Sequence, residues 1–363
     1  MSGEDEIVDV GNGTACTVEP AAQLPQTPQR RIIDVNNITV RVKKLKQPIV
    51  KNATFFSNEG EILGIIGETG AGKTTILRCL TGQMKPATGT VVVAGIDVIH
   101  HRRDAIKRFG YVPQLELVSI YDQFSAIQNV YYFGKMYLSG VPDDAIRTRA
   151  RELLFILGFK EDLMLKHVAA MSGGEKKRVS IAVGMIHNPD VLLLDEPTTG
   201  LDVSLRIQIL NYLKNLNKKL GISVVIVSHD LEIAQYCNRI VLLDGGRIIE
   251  FGDPEVLIST FLPCDGRAIK LEVTELSEEV LETFTQVPEI KYVIKSGRND
   301  VKIFAENIDR EMISKAIEVC DMVGIGVKSI TLDRADFTSY YRIRAKLEKE
   351  RVKKEESAKK ELT

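Results

Sequence analysis

Residues Gly67-Glu68-Thr69-Gly70-Ala71-Gly72-Lys73-Thr74 follow the apolar run Ile62 to Ile66 and open into a helix-compatible stretch, Thr75 to Leu80. A strand, a glycine-rich turn and a helix start, in that order, aim backbone N–H groups and a helix N-terminus at one small volume. That volume suits phosphate. Lys73 is placed to reach β and γ phosphate oxygens, and the Thr74 hydroxyl to coordinate Mg²⁺. Gly67, Glu68, Thr69, Gly70, Ala71, Gly72, Lys73, Thr74 and Thr75 are therefore the expected nucleotide-binding residues, with ATP and Mg²⁺ the expected cofactors. A loop of this kind sits in α/β folds built on a parallel sheet.

The rest of the chain fits that fold class. From Ile32, short β-branched runs (Ile38 to Val42, Glu61 to Ile66, Thr90 to Val93) alternate with helical stretches. Strand patterns stop between about Leu115 and Val183. There, Ile127 to Tyr137 and Asp144 to Leu157 suit helices, the latter ending at Gly158, which predicts an inserted helical subdomain. Strand-like runs return at Val191 to Leu194, Val224 to Val227 and Ile240 to Leu243, each followed by polar residues. A first domain over 31–262 follows. Beyond Pro263 the patterns run strand, helix, strand, strand, helix, strand (Ile269 to Val273, Glu278 to Phe284, Lys291 to Ile294, Val301 to Phe304, Arg310 to Val323, Val327 to Leu332). That βαββαβ order predicts a small ferredoxin-like α+β domain over 265–340. Residues 1–30 read as a flexible tail and 341–363 as a charged, solvated end.

Composition narrows the partners. With 48 Lys+Arg against 49 Asp+Glu, no global field favours nucleic acid, and none is expected as a partner. Five scattered cysteines without a CxxC pair disfavour a disulfide framework and a zinc site, and a reducing cytoplasm fits best. The longest apolar runs, such as Ile222 to Val227, fall far short of the ~20 residues a membrane helix needs. The acidic start MSGEDEIVDV lacks the features of a signal peptide. Work at a membrane would require a separate spanning chain.

A second chemical element is Val191-Leu192-Leu193-Leu194-Asp195-Glu196, a buried-strand pattern ending in two carboxylates. Carboxylates at such a place are costly without a cation or hydrogen-bond donors. Beside a phosphate loop, Asp195 is the expected Mg²⁺ contact, through water, and Glu196 the expected base that activates an attacking water.

Further residues then fall into order: Gln114 in Gly110-Tyr111-Val112-Pro113-Gln114, the run Met171-Ser172-Gly173-Gly174-Glu175, Asp202 in Thr198-Thr199-Gly200-Leu201-Asp202, and His229 after a strand. With the two elements above, residues 32 to 255 resemble the ATP-binding cassette family. The resemblance implies that Gln114 contacts Mg²⁺ and the attacking water where the helical subdomain joins the core. It implies that Ser172, Gly173 and Gly174 form a signature touching a nucleotide held by a second cassette. It also makes Asp202 an interface residue and His229 a γ-phosphate contact. Two such cassettes are expected to sandwich two ATP molecules, here as a homodimer. One departure stands out: the aromatic that family members stack on adenine corresponds to Val40 or Val42, while Phe55 and Phe56 are expected to face the core. Base stacking contributes roughly 1 to 3 kcal/mol, so weaker adenine preference is expected.

For function, the family implies an ATPase subunit of a transporter with separate permease chains, held at the cytoplasmic face of the membrane. Gln128 to Gly134, Lys176 to Ala182 and Thr198 to Asp202 resemble exporter-type cassettes, so export is the first expectation. Import, with the βαββαβ domain as a ligand sensor or a plain interface module, is the second. A non-transport ATPase acting on ribosomes, DNA or cofactor assembly is the third. A groove for a permease coupling helix is expected near Gln114 to Tyr132.

Overall fold

The computed structural model describes residues 30–42, 47–114 and 120–347. The chain divides into two units, Met1–Arg30 and Arg31–Thr363. Of the expected N-terminal tail, only Arg30 lies among the described residues, and all that follows concerns the second unit.

The chain order opens with β1 (Arg31–Val40), β2 (Val50–Asn58), β3 (Ile62–Gly67), α1 (Lys73–Leu80), β4 (Thr88–Val93), β5 (Ile96–Asp97), α2 (Arg102–Ala105) and β6 (Phe109–Val112). Four helices follow: α3 (Ala126–Tyr137), α4 (Asp143–Ile156), α5 (Glu161–Leu165) and α6 (Gly173–Met185). Then come β7 (Val191–Asp195), α7 (Val203–Leu220), β8 (Ser223–Ser228), β9 (Arg239–Asp244), β10 (Arg247–Gly252) and α8 (Pro254–Phe261). The last group is β11 (Arg267–Val273), α9 (Glu278–Thr285), β12 (Ile290–Lys295), β13 (Asp300–Ala305), α10 (Arg310–Met322), β14 (Val327–Arg334) and α11 over residues 337–347.

The central sheet has the order β10-β9-β3-β8-β7-β6, parallel except for β10. Strands β3, β7 and β8 are buried along their whole length and mostly apolar because both faces are covered. Leu192, Leu194, Val224 and Ile226 enter the core shared with the helices, while Val191, Leu193, Val225 and Val227 enter the core shared with the antiparallel sheet β2-β1-β4-β5. A sheet held from two sides gives its strand ends fixed positions, and the functional loops leave from those ends.

The βαββαβ segment forms a four-stranded antiparallel sheet of order β12-β13-β11-β14 with its own apolar core, including Ile269, Leu271, Phe284 and Ile303. Its other face is not separate from the first domain: Ala268, Phe304, Ala335 and Phe337 join the core that also holds Ile258 and Leu262.

Three expectations need correction. The charged end does not begin at residue 341, because residues 337–347 are helical and bury Tyr340 and Ile343, with Arg344 Nε 2.5 Å from Glu250 Oε1. The part beyond 347 lies outside the described residues. Phe55 does face the core, but Phe56 does not; it is clamped edge-on by Phe251 and faced by the Arg31 and Arg239 guanidiniums, 4.3 and 4.7 Å from its centroid. Val40 is fully buried opposite Val50 and so cannot face a nucleotide, whereas Val42 is partly exposed.

Candidate active site

Parallel strands aim their carboxyl ends the same way, and ligands of α/β sheets bind beyond those ends. Here β3 runs into the glycine-rich loop, β7 ends at Asp195 and is followed by Glu196, β8 is followed by His229, and β6 is followed by Gln114. Register holds them level: Ile66 pairs with Ser228, Asp195 with Val227, and Val112 with Leu194.

The loop turns into α1 at Gly72, whose φ of 104° lies in the left-handed region and whose Cα lies against Val50. A side chain here would be strained and would press Val50 Cγ2 at 3.1 Å. Lys73 is 6% exposed, and its ammonium donates to the carbonyl oxygens of Gly67 (2.8 Å) and Glu68 (3.0 Å), with Glu196 Oε1 at 3.8 Å. Burial pushes the Lys73 pKa down, against the pull of the Glu196 and Asp195 carboxylates. Glu68, Thr69, Gly70 and Thr74 are exposed, Thr75 is half-buried, and Ala71 is buried.

Glu196 is buried with φ of 48°, a conformation that costs a non-glycine residue of order 1 to 3 kcal/mol and that clusters at functional sites. Its Oε2 accepts from Thr199 Oγ1 (3.0 Å), from the His229 backbone N–H (3.4 Å) and from the His229 ring at Nδ1 (2.8 Å).

Asp195 lies beside this pair, buried, and its Oδ1 has no hydrogen-bond partner. Burial raises its pKa, and the neighbouring Glu196 charge raises it further. An unpaired buried carboxylate oxygen costs about 1 to 3 kcal/mol or more. A hydrated cation relieves that cost, so the unpartnered Asp195 oxygen fits a Mg²⁺ contact through water.

A second group gathers apart from the first. Ser172 is the N-cap of α6, its Oγ accepting from Glu175 N (3.3 Å) while Glu175 Oε2 accepts from Ser172 N (2.8 Å). Ser172 and Gly173 are exposed, so the positive end of this helix faces outward. A Cβ on Gly173 or Gly174 would lie 3.3 Å from Leu201 or 3.1 Å from Leu205, which places the signature beside Asp202, the N-cap of α7. Among the described residues, no hydrogen bond or ion pair joins Ser172, Gly173 or Gly174 to Lys73, Asp195, Glu196 or His229. The two groups are thus separate in the chain. Gln114 is exposed, and its carbonyl accepts from Lys177; residues 115–119, part of the expected coupling groove, lie outside the described residues.

Sequence reasoning missed Thr199 and Lys177. Thr199 has a local signal, three residues after Glu196. Lys177 had none, because its partner lies sixty-three positions away.

The family model described as ABC transporter matches residues 50–199. The methionine import ATP-binding protein of Carboxydothermus hydrogenoformans is 34% identical over 66% of this chain and 71% of its own length. The Nod factor export ATP-binding protein I of Cupriavidus pinatubonensis is 32% identical over 83% of this chain and 93% of its own. Among solved structures, a dimeric ATP-binding cassette bound to ADP and phosphate after hydrolysis matches with a TM-score of 0.54 and 28% identity, over 61% of this chain and 98% of its own. The cbiO1 protein of Clostridium perfringens, part of an ABC transporter complex, matches with a TM-score of 0.59 and 26% identity, over 72% and 96%. With its phosphate loop, its paired strand-end carboxylates and relatives of this identity and coverage, the chain belongs to the ATP-binding cassette family, as an ATP-binding and ATP-hydrolysing subunit of a transporter.

Proposed function

We propose that this subunit drives import, binding Mg²⁺-ATP between its phosphate loop and the signature of a second cassette. The observation that carries the site is the meeting of Lys73, Asp195, Glu196 and His229 at the ends of β3, β7 and β8. In this reading the loop amides and Lys73 hold the phosphates, and Lys73 exchanges its carbonyl partners for phosphate oxygens when nucleotide arrives. Thr74, Gln114 and Asp195 would hold Mg²⁺, which when bound would supply charge neutralisation on the phosphates. Glu196 takes the proton of the attacking water, its carboxylate aimed by Thr199 and His229. In this reading His229 and Gln114 meet the transferred group and the water. Ser172, Gly173, Gly174 and Asp202 serve the partner cassette's site.

Import is favoured over the expected export by the names of the relatives: several, from different bacteria, are methionine import ATP-binding proteins at 31–36% identity. A ferredoxin-like module after the cassette suits a regulated importer. The export reading keeps one specific support, the Nod factor export relative, which aligns over more of this chain than those proteins do. No described helix is long and apolar enough to cross a membrane, so either reading needs separate permease chains at whose cytoplasmic side this subunit docks. The test is direction: the complex with its permease is reconstituted in vesicles with the cassettes outside, and labelled methionine is loaded or supplied. ATP-dependent exit from the lumen supports import of that solute, and ATP-dependent accumulation inside supports export.

A further inference from the structure

Helix α6 carries Ser172 at its N-cap and, on its second turn, three consecutive basic residues with three different partners. Lys176 pairs with Asp122 (3.3 Å), and Arg178 donates to the Leu157 carbonyl (2.9 Å) while lying over Phe159 and Tyr212. Lys177 points the other way, into the protein. It is 1% exposed, and its ammonium donates to the main-chain carbonyls of Gln114 (3.0 Å) and Pro113 (3.4 Å).

Burying an ammonium is costly unless its hydrogens are taken up. An apolar side chain would fill the same space at less cost, so the charge is informative. The backbone permits the contact because α6 runs against β6: a Cβ on Gly110 would fall 2.0 Å from the Gly184 carbonyl oxygen, so neither strand nor helix can draw back without opening a gap. The result is a direct link. One end of α6 presents the signature serine, and one and a half turns later the same helix grips the peptide that carries Gln114.

We propose that Lys177 is a positioning residue for ATP hydrolysis, holding the Gln114 segment in register with the signature helix so that Gln114 reaches the nucleotide site. The proposal rests on the assignment of Gln114 to the reaction, and it goes further by naming what aims that residue. In this proposal Lys177 acts through Gln114, and its charge also favours the ionised form of Asp195. Closure of a partner cassette on Ser172 would therefore move Gln114 with it.

The test compares Lys177→Met, Lys177→Arg, Gln114→Ala and the double variant Lys177→Met/Gln114→Ala in the intact transporter complex, reading kcat and ATP Kd separately. Lys177→Met is expected to lower kcat about 10- to 100-fold, the scale of a misplaced reacting geometry, with ATP Kd unchanged. Lys177→Arg is expected to restore part of the loss. In the Gln114→Ala background, Lys177→Met is expected to cost nothing more, because residues acting as a unit do not add. Wild-type kcat in Lys177→Met, or a full additional loss in the double variant, overturns the proposal while leaving Gln114 in place. Full turnover in Gln114→Ala removes the Gln114 assignment and the proposal together. Should Lys177→Met fail to fold, Lys177→Gln, which keeps a shorter donor, is read by the same outcomes.

Discussion

At the scale of single residues, the site is a set of groups each placed where it is costly unless it works. Glu196 keeps a left-handed backbone, Asp195 an unpaired buried oxygen, and Lys73 a buried charge satisfied by carbonyls. Glu196→Gln keeps the size of the side chain and a carbonyl oxygen for Thr199, but loses the base. Turnover is expected to fall about 10² to 10⁴-fold with ATP binding retained, measured as steady-state phosphate release against equilibrium nucleotide binding. Full turnover would remove Glu196 from its role. These residues were legible from sequence because their spacing is local: the loop, the carboxylate pair and the strand before His229 each fit within ten positions. Lys177 was not, since only the fold brings it to Gln114, and the same holds for the clamp of Arg31 and Arg239 on Phe56.

At the scale of elements, legibility followed burial. Strands β7, β8 and β9 stood out as apolar runs because both their faces are covered, while β2, with mixed burial, and the four-residue β6 carried no such pattern. Helix α11 straddles the expected boundary at 340: Phe337 and Tyr340 fall in the expected ferredoxin-like domain and Ile343 in the expected charged end, although the three recur at helical spacing and are buried; the Lys, Arg and Glu residues beyond 341 outweigh that signal. The turn between β2 and β3 shows what holds such elements together. Glu61 accepts from Asn58 N (2.8 Å), from Asn58 Nδ2 (2.9 Å) and from Arg239 at the start of β9 (3.2 and 3.3 Å). Burial alone would raise the Glu61 pKa, but the hydrogen bonds from Arg239 and Asn58 outweigh it and hold the value below the usual carboxylate range. A carboxylate with a lowered folded pKa stabilises the fold above its unfolded value, about 4.3, and loses that contribution as pH falls through the folded value. Glu61→Gln is therefore expected to cost about 1 to 3 kcal/mol near neutral pH, with the difference from wild type shrinking below pH ~4 in denaturant titrations. A difference that does not change with pH would contradict the role of its charge.

At the scale of the whole molecule, one chain presents a nucleotide surface at the ends of β3, β7 and β8 and a signature surface at the start of α6, with no bond between the two among the described residues. In the proposed function each surface is half of a site. The βαββαβ module shares its core with the first domain through Phe304, Phe337 and Tyr340, so it is built into the subunit rather than tethered to it. The proposed function has two copies complete each other. It is tested most directly by mixing chains carrying Lys73→Ala with chains carrying Ser172→Arg and measuring ATP turnover after subunit exchange. Each variant alone is expected to be inactive, and the mixture to regain turnover, because the mixed dimer pairs one intact phosphate loop with one intact signature. No recovery, with exchange demonstrated, would contradict a site shared between two copies of this chain.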